Sequence, residues 1–227
     1  GEDGLSRVYL HGRLDEDRAL QDLGRVYEID RLSYKPYPTC RLTHPAISAA
    51  LELRSQLGKD AARIEKVELV VGPQAHDVVG RDIPQRRSPV TRVAAQFSNY
   101  WSVAVALTRG EVTPLQLVAE IPPSAEVAAA IAKVTCSADA SAGGRDIGGC
   151  KLRAYGPFGV REVEHANAKG HPDFPLSEQE LLEKFMGNLR YARVSQADAT
   201  RLAGEIMDIE AAEDVVPLWD RVSGIST

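Results

Sequence analysis

Twelve residues near the front of the chain, Tyr34-Lys35-Pro36-Tyr37-Pro38-Thr39-Cys40-Arg41-Leu42-Thr43-His44-Pro45, restrict its folding more than any others. Proline at 36 and at 38 fixes φ at its own position and drives Lys35 and Tyr37 toward extended geometry, so the segment is predicted to be a stiff, non-helical loop. Thr43 offers a hydroxyl to cap a helix starting near His44, and Pro45 is tolerated in that first turn because its missing N–H has no intrahelical acceptor to lose. A loop bearing Lys35 and Arg41 that runs into a helix N-terminus is a suitable place for an anion, since the free amides and the helix dipole carry the same sign as the two side chains.

The rest of the chain supplies a core around that loop. Its 227 residues are 44% hydrophobic, enough for one large domain or two small ones. The formal charge of −5, with acids and bases interspersed, excludes the basic stripe that a nucleic-acid partner needs. No apolar run approaches the roughly 20 residues that cross a bilayer, and the first residues lack the basic and apolar regions of a secretory signal, which points to the cytoplasm without a membrane partner. Cys40, Cys136 and Cys150 are too few and too irregularly spaced for a disulfide framework or a structural zinc site and read as free thiols. His76 and Asp77 have no second ligand pair at metal-binding spacing, and the Gly143-Gly144 and Gly148-Gly149 tract lacks the order of a phosphate-binding loop. His11 and His165 stand as isolated positions.

Periodicity and turn signals divide the chain. A short amphipathic helix is predicted over 15–25 and a strand over 26–34. A small-residue helix follows the proline loop and stops at Gly58. A strand over 63–72 ends at Gly72-Pro73, and a single helix of about twenty residues runs from Pro89 to Leu107, closed by Gly110. Ser124 caps a helix through Val134. Residues 137–149 read as loop, followed by a hairpin of 151–155 and 160–165 across Gly156-Pro157-Phe158-Gly159. Ser177-Glu178-Gln179-Glu180 is a capping box, Ser195 to Asp198 opens a further helix, and a short third helix ends the chain. The predicted fold class is α+β, with domain divisions at 1–33, 34–169 and 170–227.

The run Lys35-Pro36-Tyr37-Pro38-Thr39-Cys40-Arg41-Leu42-Thr43-His44, followed by Pro45 to Leu53, resembles the segment that opens the second, smaller domain of the MmgE/PrpD family, whose members include 2-methylcitrate dehydratase and cis-aconitate decarboxylase. The resemblance continues through Ala95-Gln96-Phe97-Ser98, Val103 to Leu107, Gly170-His171-Pro172, Pro175-Leu176-Ser177 and Glu183-Lys184-Phe185. It implies a mixed α/β lid domain flanked by helices that belong to an all-α domain. Only the later half of a family member is covered, so the chain is expected to be a fragment or one half of a split protein, with Gly1 to Leu5 an internal turn.

The resemblance also implies a reaction: cofactor-independent lysis of a small polycarboxylate, by loss of water as in a 2-methylcitrate dehydratase-like hydro-lyase, or by decarboxylation or epimerisation, with no metal. Lys35 is the leading catalytic candidate, because an ammonium group facing the substrate stabilises charge that develops beside a carboxylate; the alternative is a solvated lysine. His44 is the second, as a proton shuttle or alternatively as a cap. Arg41, through its planar fork, and Cys40, beside a helix start, are candidate substrate contacts. Ser98 and Trp101 join them on the long helix, although family members carry a tyrosine where this chain has Trp101; Tyr100 points about 100° away and does not replace it. The expected partners are the polycarboxylate and either a second copy in a homodimer or a chain supplying the helical domain, without which the polypeptide is expected to be inactive. A non-catalytic binding or scaffolding subunit, or a split decarboxylase or epimerase of the same family, are the alternatives.

Overall fold

The computed structural model describes residues 4–142 and 148–224. The first three residues of the turn expected over Gly1 to Leu5, and the Gly143-Gly144 part of the expected loop, therefore lie outside the described residues. The chain divides into two compact units, residues 1–33 and 34–227. The first holds two short helices, α1 (Leu5–Leu10) and α2 (Glu16–Leu20), the second capped by Asp15, whose side chain accepts from the Arg18 N–H at 3.0 Å. The strand expected over 26–34 is absent. Glu28–Arg31 form a 3-10 turn, and Tyr27, Ile29 and Leu32 are exposed, because an alternating pattern makes a strand only where a neighbouring strand takes up its hydrogen bonds.

In the second unit, α3 (His44–Leu57) leads to β1 (Lys66–Val71). A long crossover follows through α4 (Pro73–Ala75), a π-helical turn at His76–Gly80, α5 (Pro84–Arg87), α6 (Arg92–Gln96), α7 (Asn99–Arg109), α8 (Gln116–Ala119) and α9 (Ala125–Lys133). It returns to β2 (Val134–Ala138), and a hairpin of β3 (Cys150–Gly156) and β4 (Gly159–His165) completes the sheet. The strand order is β2-β1-β3-β4, with β1 parallel to β2 and antiparallel to β3. The chain ends in α10 (Glu178–Tyr191), α11 (Gln196–Met207) and α12 (Val216–Gly224). This mixed sheet with its helices is the α+β class expected from the sequence.

Period-two alternation decides which side of the sheet is covered. Val67, Leu69, Val71, Leu152, Ala154 and Val163 are buried on one face, where α3 lies over β3 and β4 and α7 over β2. The opposite face carries Lys66, Glu68, Lys151, Arg153, Glu162 and Glu164; Lys66 pairs with Glu68 along β1, Lys151 lies 3.1 Å from Glu164 across β3 and β4, Arg153 pairs with Glu162, and Tyr155 Oη donates to Glu68 at 2.6 Å. Cys40, Cys136 and Cys150 are unbridged.

Two expectations for the crossover fail for tertiary reasons. The single helix over 89–107 is broken at Phe97-Ser98, because Ser98 Oγ accepts from the Trp101 N–H at 3.0 Å and starts a new helix, while donating to the Arg86 carbonyl at 2.6 Å. The loop read from Ser137 onward begins inside β2, whose residues pair with β1 as far as Ala138 opposite Val71. Among the described residues no helix is long and apolar enough to cross a membrane.

Candidate functional site

The proline loop is held from behind by the end of α6. Gln96 Nε2 donates to the Pro38 carbonyl at 2.8 Å, and the Gln96 carbonyl accepts from the Cys40 N–H at 2.9 Å. Thr39 and Thr43, both buried, join their hydroxyls at 2.8 Å; because Thr43 Oγ1 donates to the Cys40 carbonyl at 2.9 Å, Thr39 is the donor between them. The Thr43 hydroxyl is thereby spent on the preceding turn and does not cap α3. The stiff loop expected from the two prolines is thus fastened on its inner side by four hydrogen bonds.

Lys35 lies on the outer side of that loop and is exposed; its Nζ is 3.4 Å from the Thr39 carbonyl. It lines a cleft of about 260 Å³ with Pro36, Tyr37 and Thr113 on one side and Glu183 and Lys184 of α10 on the other. The cleft adjoins a larger groove of about 800 Å³ that runs between residues 110–113 and helices α10 and α11, sharing Pro36, Tyr37 and Lys184.

Behind Lys35 the side chains are dry. His44 is fully buried, its Nε2 3.4 Å from the Thr39 carbonyl and its ring edge-on to Tyr37 at 5.2 Å. Burial, reinforced by the charge of Arg41, lowers its pKa to about 3, so the ring is neutral at ordinary pH. Burial also raises the Tyr37 pKa; that hydroxyl meets Ser48 Oγ at 3.1 Å. Arg41 is 9% exposed, and burial lowers its pKa. Its Nη1 donates to the carbonyls of Tyr34 at 3.1 Å and Lys169 at 2.9 Å, while Nε and Nη2 are buried without a hydrogen-bond partner.

Of the six residues singled out in the sequence, the fold brings four together on one loop and helix start: Lys35, Cys40, Arg41 and His44. Cys40 is half-buried there. The other two are placed by α7. Ser98 is its cap, and Trp101 is fully buried, with Nε1 donating to the Glu120 carbonyl at 3.0 Å. Sequence reasoning gave no role to Gln96, Lys184 or Lys169. The polar Gln96 on an otherwise apolar helix was the available signal for the first; the other two reach the loop only through long-range folding. Among the described residues no group of three His, Cys, Asp or Glu side chains is arranged to hold a metal ion.

A four-stranded mixed sheet under two packed helices, entered through a proline-stiffened cationic loop, defines an α+β domain with a small cleft, apolar over most of its lining and edged by Lys35, Glu183 and Lys184, at its helical end. The chain belongs to the MmgE/PrpD family: the model of the MmgE/PrpD C-terminal domain matches residues 37–208. No curated protein matches the chain.

Proposed function

We propose that the chain is part of an MmgE/PrpD-like lyase that acts on a small polycarboxylate, in the manner of a 2-methylcitrate dehydratase. In such an elimination a general base takes the proton from the carbon beside a carboxylate, negative charge accumulates on the carboxylate oxygens, and the neighbouring hydroxyl takes up a proton from a general acid and leaves as water. An ammonium group in a confined cleft stabilises that added charge more than the single charge the carboxylate carries in the ground state, which is the condition for lowering a barrier. Lys35 takes this role, with Lys184 as a second cation on the facing wall. His44 and Cys40 stand behind it, and the neutral imidazole adds no positive charge to that of Arg41 on the loop's inner side. The observation that supports the reading is the place of Lys35 on the wall of the cleft, on a loop fastened from behind by Gln96.

A second reading, a non-catalytic binding module, is favoured by Trp101, which fills core where family members carry a tyrosine. Titrating the protein with tricarballylate, an inert tricarboxylate, while following backbone amide resonances separates binding from its absence. Shifts are expected at Lys35, Thr113 and Lys184, weakened about tenfold in apparent affinity by Lys35→Ala. Turnover of 2-methylcitrate and cis-aconitate, where present, should fall about 100-fold or more in the same variant. Shifts confined to other surfaces, or unchanged by Lys35→Ala, exclude Lys35 as the anion site; binding without any Lys35-dependent turnover, measured with the helical domain supplied, selects the second reading.

A further inference from the structure

Tyr34, the residue before Lys35, has both backbone polar groups tied to the same remote turn. Its N–H donates to the Gly170 carbonyl at 2.9 Å, and its carbonyl accepts from Arg41 Nη1 at 3.1 Å; the same Nη1 reaches the Lys169 carbonyl at 2.9 Å. Gly170 has φ of 83°, and a Cβ there would lie 2.2 Å from the Tyr34 carbonyl oxygen and 3.5 Å from Pro36 Cδ. Glycine is required twice over, by the left-handed backbone and by the closeness of the approach. On the other side of Lys35, the Pro38 carbonyl is held by Gln96. The lysine therefore occupies a five-residue span, Tyr34 to Pro38, anchored at both ends.

Arg41 is an expensive way to make two bonds to carbonyls. A guanidinium with two buried, unpartnered nitrogens carries a desolvation cost that a surface arginine avoids, and its Nη1 joins two segments 128 residues apart. The turn it holds is in turn locked to α10. Lys169 Nζ lies 3.0 Å from Glu180 Oε2 and 4.5 Å above the Phe174 ring, and Glu180 completes the capping box with Ser177. α10 supplies the far wall of the Lys35 cleft through Glu183, Lys184 and Gly187. One continuous set of contacts thus runs from Lys35 through Tyr34, Arg41, Gly170 and Lys169 to the facing wall.

We propose that Arg41 and Gly170 are positioning residues that hold Lys35 at a fixed distance from α10, so that the 169–174 turn sets the width of the cleft. The proposal rests on the reading of Lys35 as the anion-facing group, but the clasp itself is measurable without it. Gly170→Ala drives a methyl group into the Tyr34 carbonyl; Arg41→Lys keeps the charge but replaces a planar fork by a single point donor. In both variants the Tyr34 amide should exchange with solvent about tenfold faster while the Leu69 amide in β1 keeps its rate, and the acetylation rate of Lys35 by an N-hydroxysuccinimide ester, relative to exposed Lys59, should change about threefold. Tricarballylate affinity should fall about fivefold, less than in Lys35→Ala.

An unchanged Tyr34 amide and unchanged Lys35 acetylation in both variants overturns the clasp whatever Lys35 does. Leu69 exchange accelerating in step with Tyr34 overturns it too, since the residues would then support the whole fold and not the loop. Should Gly170→Ala fail to fold, Arg41→Lys carries the same readouts. If Tyr34 and Lys35 respond as expected but Lys35→Ala leaves tricarballylate binding intact, the clasp stands as a mechanical device and the reading of Lys35 as the anion site falls.

Discussion

The chain has two tryptophans, and they mark two ways of making a helix. Trp101 on α7 is fully buried with its indole N–H bonded to the Glu120 carbonyl; Trp219 on α12 is 70% exposed. Every residue of α7 from Asn99 to Leu107 is buried, so this helix is specified by the sheet and by α3 and α9 around it. α10 and α12 have no buried residue. They stand on local chemistry: a capping box at Ser177, and at α12 an Asp214 carboxylate that accepts the Val216 N–H at 2.9 Å. Tertiary burial tolerates poor local signals in the first region, whereas the second has little beyond its local signals to hold it.

Truncating the two indoles gives the widest separation. Trp101→Ala should cost about 3–5 kcal/mol, combining lost burial, a cavity and a Glu120 carbonyl left without its donor. Trp219→Ala should stay within about 0.5 kcal/mol. Urea unfolding of both variants at one pH measures the difference, and equal costs would mean that α12 is packed as firmly as α7.

A smaller effect tests the dry interior behind the proline loop. His44 binds a proton in the unfolded chain near its ordinary pKa of 6.5 but in the folded protein only near 3. A basic group whose folded pKa is depressed stabilises the fold fully above the unfolded value and loses that contribution as pH falls through the window between the two. The slope reaches about 1.4 kcal/mol per pH unit, so stability should drop by about 2 kcal/mol from pH 7 to pH 5. In His44→Gln that part of the slope should vanish, whatever the variant's absolute stability. A slope retained in full would place the proton elsewhere and show that His44 is hydrated.

Local signals were legible and long-range ones were not, and the same contrast explains why. β1, the β3–β4 hairpin and the Ser177 capping box are written in adjacent residues: alternation, a turn with Gly156 and Gly159, and a serine three residues before a glutamate. The break before α7 was missed because the capping hydroxyl of Ser98 was counted among polar residues of one long helix, and its second partner, the Arg86 carbonyl, arrives only when the crossover folds back. Strand β2 was missed entirely, Val134 being read as helix and the chain from Ser137 as loop, because Ser137 and Ala138 have weak strand preference and are held by pairing with Val70 and Val71. At the candidate site the loop itself could be read from its prolines and cations. Its fastenings could not: Gln96 reaches Pro38 from 58 residues away, and Arg41 reaches Lys169 from 128. For the same reason the sequence offered Arg41 as a substrate contact on its charge and planarity alone, with nothing to indicate that one nitrogen would be committed to two backbone carbonyls.

The smallest effect sharpens the comparison most, because it isolates a single local signal. Ser177 Oγ accepts the Glu180 N–H at 3.2 Å, and Glu180 Oε2 accepts the Ser177 N–H at 2.7 Å while also facing Lys169. Ser177→Ala removes one of these bonds and exposes an amide at the start of a helix that buries no residue, at an expected cost of about 1 kcal/mol. In α7 the corresponding serine is enclosed by core, so a lost cap there acts on the global unfolding transition. In α10 the loss should instead appear as fraying: amides of the first turn should exchange about fivefold faster while that of Leu69 is unmoved. Glu180→Gln keeps an acceptor for the Ser177 N–H but discharges the partner of Lys169, so it should leave the helix start nearly intact and loosen the 169–174 turn. If both variants slowed or sped exchange over the whole of α10 and β1 together, α10 would be part of the same cooperative unit as the sheet, and the distinction between helices made by burial and helices made by their caps would not hold for this chain.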